Sequence, residues 1–450
     1  MGKLRVFESF SGVGCQSLAL RNIGIDYEVV GISEVDKHAL LCYDAIHNDP
    51  ISIDIPDKQS ILDEIHRCNI AYNFSSGKSE IPKNEKDLQA LYVAHKRSKN
   101  FGDIRKIDEK TLPDFDLFTY SYPCKNISIA GKQAGFTKGS DTQSSLVWEC
   151  ERIIKAKRPK YLLMENVKNL VSKRHIDVFN TWCKTLEDLG YNNYWKVLNG
   201  KDFGVPQNRE RVMMVSILKE HDQGYIFPDG YPLTTRLKDI LESVVDEKYY
   251  VKDDKGLLSK IKIIEPSDTT VTYRLGGLFD ESDGKRHQAG SVWDIECISP
   301  TLDTMQGGWR QPCILAIPQA TKKGYIEFEV DGIVDLSYPS STKRRGRVIE
   351  GGKLCHSLTT NMQRIYYIDY NPETVEDATN FMEKYLRIRR LTPLECWLLM
   401  GHINSDYFKA ESTGISESKL YERAGRGIVI PMLEDIFKNM FGGSYEKINK

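Results

Sequence analysis

From Leu4 to about residue 220 the chain alternates short apolar runs with helix-length segments, and that rhythm leaves few architectures open. Strands are predicted at Leu4–Phe10, Glu28–Ser33, Leu117–Ser121, Tyr161–Met164 and Val212–Ile217, with helical stretches such as Gln16–Asn22, Ser144–Lys155 and Asp177–Leu189 between them. Such alternation predicts a mostly parallel sheet wrapped by helices, because parallel strands need long crossover connections. The expected fold class is α/β. Residues 57–100 read as a charged insertion, helical at Asp63–Cys68 and Glu85–Ser98 around a Ser-Ser-Gly-Lys break. After about residue 222 glycines, prolines and short β-like runs replace the rhythm until about residue 385. Helical patterning returns at Thr392–Leu399 and Ile430–Met440. The expected organisation is one domain built from 1–221 with 385–450, carrying a smaller, irregular, strand-rich domain at 222–384.

Composition narrows the function. Of 450 residues, 40% are hydrophobic and 28% charged, the profile of a soluble globular protein with room for more than one domain. No run of about 18 apolar residues occurs, and Met-Gly-Lys-Leu-Arg-Val-Phe enters a strand pattern directly, which disfavours secretory and membrane readings. The ten cysteines form no Cys-x-x-Cys pair, so neither a metal site nor a disulfide framework is expected, and a cytoplasmic setting fits. The net charge of −1 requires any nucleic-acid surface to be segregated onto one face.

Several segments carry chemistry. The first strand runs into Phe10-Ser-Gly-Val-Gly-Cys15 and a helix follows; Gly12 and Gly14 allow a tight turn, and the helix N-terminus offers unpaired N–H groups. Glu34, closing the next strand, stands where a carboxylate takes the hydroxyls of an adenosine ribose. With no third glycine and a serine at position 17, the pattern favours a nucleoside ligand without a pyrophosphate, such as S-adenosylmethionine, over NAD. Asp103 is either a plain turn aspartate or an acceptor for the adenine amino group. Pro123-Cys124 ends an apolar strand and opens a loop of small and polar residues. Alone, such a cysteine is more often a small buried hydrophobe; as a nucleophile it needs a positive or hydrogen-bonding neighbourhood, which Lys125, Asn126 and loop amides can supply. Glu165 closes another apolar strand, where it is a cap, an internal ion-pair partner, or a pocket carboxylate with a raised pKa. If Gly204-Val-Pro-Gln-Asn-Arg-Glu-Arg is extended, Gln207, Arg209 and Arg211 share one face, ready for a phosphate, a base carbonyl or carboxylates such as Glu165.

In this order the segments resemble the DNA (cytosine-5)-methyltransferases of bacterial, phage and restriction-modification type. The matching pieces are Phe10-Ser-Gly-Val-Gly, Glu34, Gly102-Asp-Ile, Pro123-Cys124, Glu165-Asn-Val, Gln207-Asn-Arg-Glu-Arg, Arg390-Leu-Thr-Pro-Leu-Glu-Cys and Ala424-Gly-x-x-Ile-Val-Ile-Pro-Met-Leu. They cover nearly the whole chain outside 222–384. The resemblance implies a Rossmann-like class I methyltransferase sheet with a target-recognition domain at 222–384. It implies S-adenosylmethionine held by Phe10, Ser11, Gly12, Gly14, Glu34, Asp103, Ile104, Pro123 and Val429, S-adenosylhomocysteine as product, and no metal. Catalysis would fall to Cys124, Glu165, Gln207, Arg209 and Arg211. Cys124 would add to C6 of a cytosine flipped from double-stranded DNA, activating C5 for the methyl group, under a lid formed by the 124–143 loop. A monomer is expected, with a cognate restriction endonuclease, where one exists, acting separately. Two departures stand out: Lys125 where the family has Gln, and Gly425-Arg426-Gly427 where it has Gly-Asn-Ser.

Within 222–384, Ile298–Thr304 with Pro312-Cys-Ile-Leu is echoed by Cys355–Thr360 with Ile365-Tyr-Tyr-Ile, each a turn feeding a strand. The basic cluster Lys343-Arg-Arg-Gly-Arg is either a solvated surface run, the commoner case, or a phosphate grip; with Trp309, Arg310 and Gln311 nearby, these three and Arg344, Arg345 and Arg347 are the candidate DNA contacts. Two other readings compete: RNA methylation, disfavoured by the roughly 160-residue variable region, and a non-enzymatic DNA-binding descendant, disfavoured by the intact Cys124, Glu165, Gly12 and Gly14.

Overall fold

The structure, a computed structural model, describes residues 2–73, 77–123, 143–242, 245–251, 268–278, 289–305, 310–318, 325–326, 333–335, 365–367 and 387–445. The chain forms two compact units. Met1–Val205, Arg209–Leu233 and Met400–Lys450 make the first, Pro206–Asn208 and Thr234–Leu399 the second. The junctions thus lie later than the expected 222 and 385, for physical reasons. Residues 222–233 stay with the first unit because Tyr225 Oη donates to Ile436 O (3.4 Å) and Asn439 Nδ2 to Ile226 O (3.0 Å). The helix after residue 392 stays with the second because Glu395 pairs bidentately with Arg389 at 2.9 and 2.8 Å, both fully buried.

In the first unit, β1 (Leu4–Ser9), β2 (Tyr27–Ser33), β3 (Leu117–Tyr120), β4 (Tyr161–Val167), β5 (Tyr191–Asn199) and β6 (Glu210–Leu218) form one sheet in the order β2-β1-β3-β4-β6-β5. β6 alone runs against the direction of the other five strands. Helices α1 (Cys15–Asn22), α2 (Lys37–His47), α3 (Lys58–Arg67), α4 (Glu85–Arg97), α5 (Val147–Lys157) and α6 (Ile176–Asp188) cover the sheet. The chain leaves β1 toward β2 and later returns to β1's other side with β3. This reversal opens a crevice at the carboxyl ends of β1 and β3, where ligands of such sheets bind. Phe7, Phe118, Tyr120, Leu162, Met164, Phe179 and Trp182 fill the core on one face.

In the second unit, β7 (Arg274–Gly277), β8 (Ser291–Trp293), β9 (Cys313–Pro318) and β10 (Tyr325–Ile326) join in the order β10-β9-β8-β7; β11 (Ile333–Asp335) pairs with β12 (Ile365–Tyr367), and β13 (Arg387–Arg390) pairs with β9. Val251, Leu275, Val292, Cys313 and Ile388 form its small core. The two strands of the sequence echo, β9 and β12, belong to different sheets; the first half of the second echo lies outside the described residues. Helix α7 (Pro393–Leu398) closes this unit. Then α8 (Asn404–Glu411), α9 (Glu417–Arg426) and α10 (Ile430–Tyr445) finish the first. Among the described residues no helix is long and apolar enough to cross a membrane.

Candidate active site

After β1 the chain turns into α1 with positive φ at Phe10 (57°), Gly12 (57°) and Gly14 (78°). Only glycine fits at position 14, where an added Cβ would lie 2.3 Å from His47 Nε2 and 2.7 Å from Tyr43 Cε2. The turn is fixed from several sides. Gly14 N donates to Ser11 O (2.9 Å), Gly12 N to Glu34 Oε2 (2.9 Å), and His47 Nε2 to Val13 O (2.9 Å). Ser11 Oγ is buried and has no partner among the described residues, a polar group open to a ligand.

Glu34 receives two further amides on Oε1, Val35 N at 2.7 Å and Asp36 N at 2.8 Å. Oε2 therefore keeps a lone pair for an outside hydroxyl. Burial, helped by the Asp36 charge, raises its pKa. Asp103 differs from expectation, because its buried carboxylate is already filled by Asn69 Nδ2 (2.7 Å) and by Arg105, whose Nη2 stands at 2.6 Å. Burial pushes its pKa up, but these bonds outweigh it and hold the carboxyl below the usual range. An adenine amino group would have to displace one of them. Ile104 is buried beside it with its carbonyl on Arg152 Nη2 (2.9 Å).

The antiparallel pairing of β4 with β6 sets Glu165 opposite Met213 and Val167 opposite Arg211. Glu165 and Arg211 are thus diagonal neighbours on one face, and Arg211 Nε meets Glu165 Oε1 at 3.0 Å. Burial raises the Glu165 pKa, against the pull of the Arg211 and Arg209 charges. Arg209 stands one residue before β6, which begins at Glu210, and Gln207 two residues further back. The buried Arg209 donates through Nη2 to Gly425 O (2.7 Å) and Gly427 O (2.8 Å), clamping the turn after α9. Gln207 lies in the second unit and donates to Leu399 O (3.1 Å).

Cys124 lies outside the described residues, but its approach is well defined. Asn166 Nδ2 donates to Tyr122 O (3.1 Å) and Ser144 Oγ to Pro123 O (2.8 Å), so two side chains hold the two carbonyls that precede the cysteine. Ser121 Oγ donates to Phe10 O (3.4 Å), tying the end of β3 to the turn after β1. Gly427 packs near Cys15 of α1, Val429 is buried two residues on, and the Arg426 side chain turns away toward Asp36 (3.3 Å) and Glu422.

Of the DNA candidates, Trp309, Arg344, Arg345 and Arg347 lie outside the described residues. Arg310 is exposed with Nη1 4.0 Å from Asp303 Oδ2, and the buried Gln311 is turned inward to Met305 O (3.0 Å). Sequence reasoning missed Ser144, Tyr43, His47 and the buried Glu8. The signal for Glu8 was the one that exposed Glu165, a carboxylate in an apolar strand.

A left-handed glycine turn, a half-buried Glu–Arg pair and a strand end braced at Pro123 lie on one mixed sheet, the architecture of a Rossmann-like class I methyltransferase. The family model for C-5 cytosine-specific DNA methylases matches residues 77–442. The chain is 37% identical to the type II methyltransferase M2.ScrFI of Lactococcus lactis subsp. cremoris over 97% of its own length and 99% of that protein's. It is 30% identical to the orphan methyltransferase M.SPRI of Bacillus phage SPR, covering 98% of each. Its fold is similar to that of Schizosaccharomyces pombe ("S. pombe") Dnmt2 methyltransferase, with TM-score 0.52, 16% identity and 98% and 99% of the two chains covered. The chain belongs to the C-5 cytosine-specific DNA methylases and is a DNA (cytosine-5)-methyltransferase.

Proposed function

We propose that this enzyme takes its methyl group from S-adenosylmethionine and delivers it to C5 of a cytosine turned out of duplex DNA, with Cys124 as covalent activator of the ring. The residues present fit the donor: a turn with left-handed glycines, the orphaned Ser11 hydroxyl, and a Glu34 oxygen with a lone pair to spare. When bound there, the donor supplies an electrophilic methyl group. Phe10, Ser11, Gly12, Gly14 and Glu34 hold it, with Pro123 and Val429 at the edges of the site, and Arg209 keeps the 425–427 turn in place.

C5 of cytosine is a poor nucleophile because attack through it breaks the ring's conjugation. Cys124 thiolate adds to C6, and the electron pair moves toward C5. Glu165, kept protonated more readily than a solvent-exposed glutamate, hydrogen-bonds N3 and limits negative charge on the ring. Arg211 holds Glu165 and reaches the base carbonyl. Loss of the C5 proton then expels the thiol. The second unit reads the DNA sequence, at a base-flipping cost of about a few kcal/mol.

The observation that carries this reading is the Glu165–Arg211 pair on the same sheet as the strand end whose Tyr122 and Pro123 carbonyls Asn166 and Ser144 fix beside Cys124. Incubating Cys124→Ser with duplex DNA and tritiated S-adenosylmethionine tests it. The expected result is methyl incorporation at background with donor and DNA binding retained; wild-type turnover would refute the covalent route.

A further inference from the structure

Glu8 lies in β1 with its carboxylate fully buried. Oε1 accepts from the backbone N (3.0 Å) and Oγ (2.9 Å) of Ser17, and Oε2 accepts from Tyr43 Oη (2.8 Å). Ser17 is the third residue of α1. That helix starts at Gly14 with no side-chain cap and no acidic residue in its first turn. First-turn amides need an acceptor, and local sequence gives this one none. The adjacent strand supplies it, and a carboxylate there also meets the positive end of the helix dipole.

The contact extends past α1. The Tyr43 ring lies tilted against His47, their centroids 4.3 Å apart, and His47 donates to Val13 O inside the turn. Both side chains press on the α-carbon of Gly14 closely enough to exclude a Cβ. Tyr27, which donates to Ser17 O at 2.9 Å, and the Cys15 thiol also stand in the field of Glu8. Glu8 is therefore the root of a line running from the sheet through two helices to Val13 and Gly14.

We propose that Glu8 is a positioning residue for the methyl donor: a cap reaching from β1 to α1 that, through Tyr43 and His47, holds the 10–14 turn in the shape that receives the donor. The inference rests on the donor site described under the proposed function. Calorimetry of the full-length protein with S-adenosylmethionine, beside steady-state kinetics on duplex DNA, tests it. Glu8→Met keeps the length and removes the acceptor. It should raise the donor Kd and KM at least tenfold, leave kcat at saturating donor within about twofold, and leave DNA affinity unchanged. Glu8→Gln keeps an acceptor oxygen and should recover most of the loss. Tyr43→Phe, which removes one hydroxyl and serves if Glu8→Met does not fold, should weaken donor binding severalfold. Folded variants that bind the donor as wild type does, with only a lower melting temperature, would show a merely structural role and overturn the inference alone. A wild-type protein that binds no donor would bring down the proposed function and this inference with it.

Discussion

At the level of single residues, Glu165 is proposed to hold a proton on the base, and Arg426 departs from the pattern of the family. Glu165 is expected to work in its protonated form, and burial moves its pKa upward. The sign follows directly: as pH rises through that elevated pKa the proton is lost, and methyl transfer should fall on the alkaline side. Glu165→Gln, which keeps a hydrogen bond but cannot titrate, should lower kcat by about 10²–10⁴-fold, flatten that alkaline limb and leave donor affinity unchanged. A pH–rate profile of the two proteins checks it, and a variant with the wild-type limb would contradict it. Arg426 departs from the family's asparagine, yet its guanidinium is half exposed and pairs with Asp36 and Glu422 rather than entering the turn that Arg209 holds. The guanidinium side of these pairs is solvated and both carboxylates keep Arg423 as a partner, so each pair contributes roughly 0–1 kcal/mol. Arg426→Asn should therefore change the donor Kd by no more than about fivefold in calorimetry; a larger loss would make the arginine an adapted ligand.

Among elements, the β1–α1 turn concentrates the constraint. Gly14→Ala places a methyl group against His47 and Tyr43 at a left-handed residue. The combined strain is about 2–4 kcal/mol, and the variant should lose donor binding at least tenfold with a visibly lower urea midpoint. Much of this element level was legible in the sequence. β1, β2, β3, β4 and β6 fell within a few residues of their predicted runs because each is a short, mostly apolar stretch. β5 was missed because Tyr191-Asn-Asn-Tyr-Trp-Lys-Val-Leu-Asn carries polar residues suited to a sheet edge, where Trp195 stays exposed. The left-handed turn was readable from Gly12 and Gly14. That Asp103 is taken by Arg105 and Asn69, and that Arg209 clamps Gly425 and Gly427, was not readable. Those partners are set by tertiary packing, in the second case across more than two hundred residues.

At the scale of the whole molecule, the α/β unit is discontinuous in sequence, and the strand-rich unit between its parts is the one proposed to recognise DNA. The switch in composition near residue 222 announced two units, but the junctions at 234 and 400 depended on Tyr225, Asn439 and the Arg389–Glu395 pair. In the proposed reaction a cytosine is brought to a cysteine that bonds to its ring. A duplex whose target cytosine carries fluorine at C5 tests it most directly, because methyl transfer can proceed but the final loss of a proton from C5 cannot. With S-adenosylmethionine present, the wild-type protein should form a DNA adduct that survives denaturing electrophoresis, and Cys124→Ser should form none. Methylation of ordinary duplexes without any trapped adduct, or an equal adduct from the serine variant, would contradict the account.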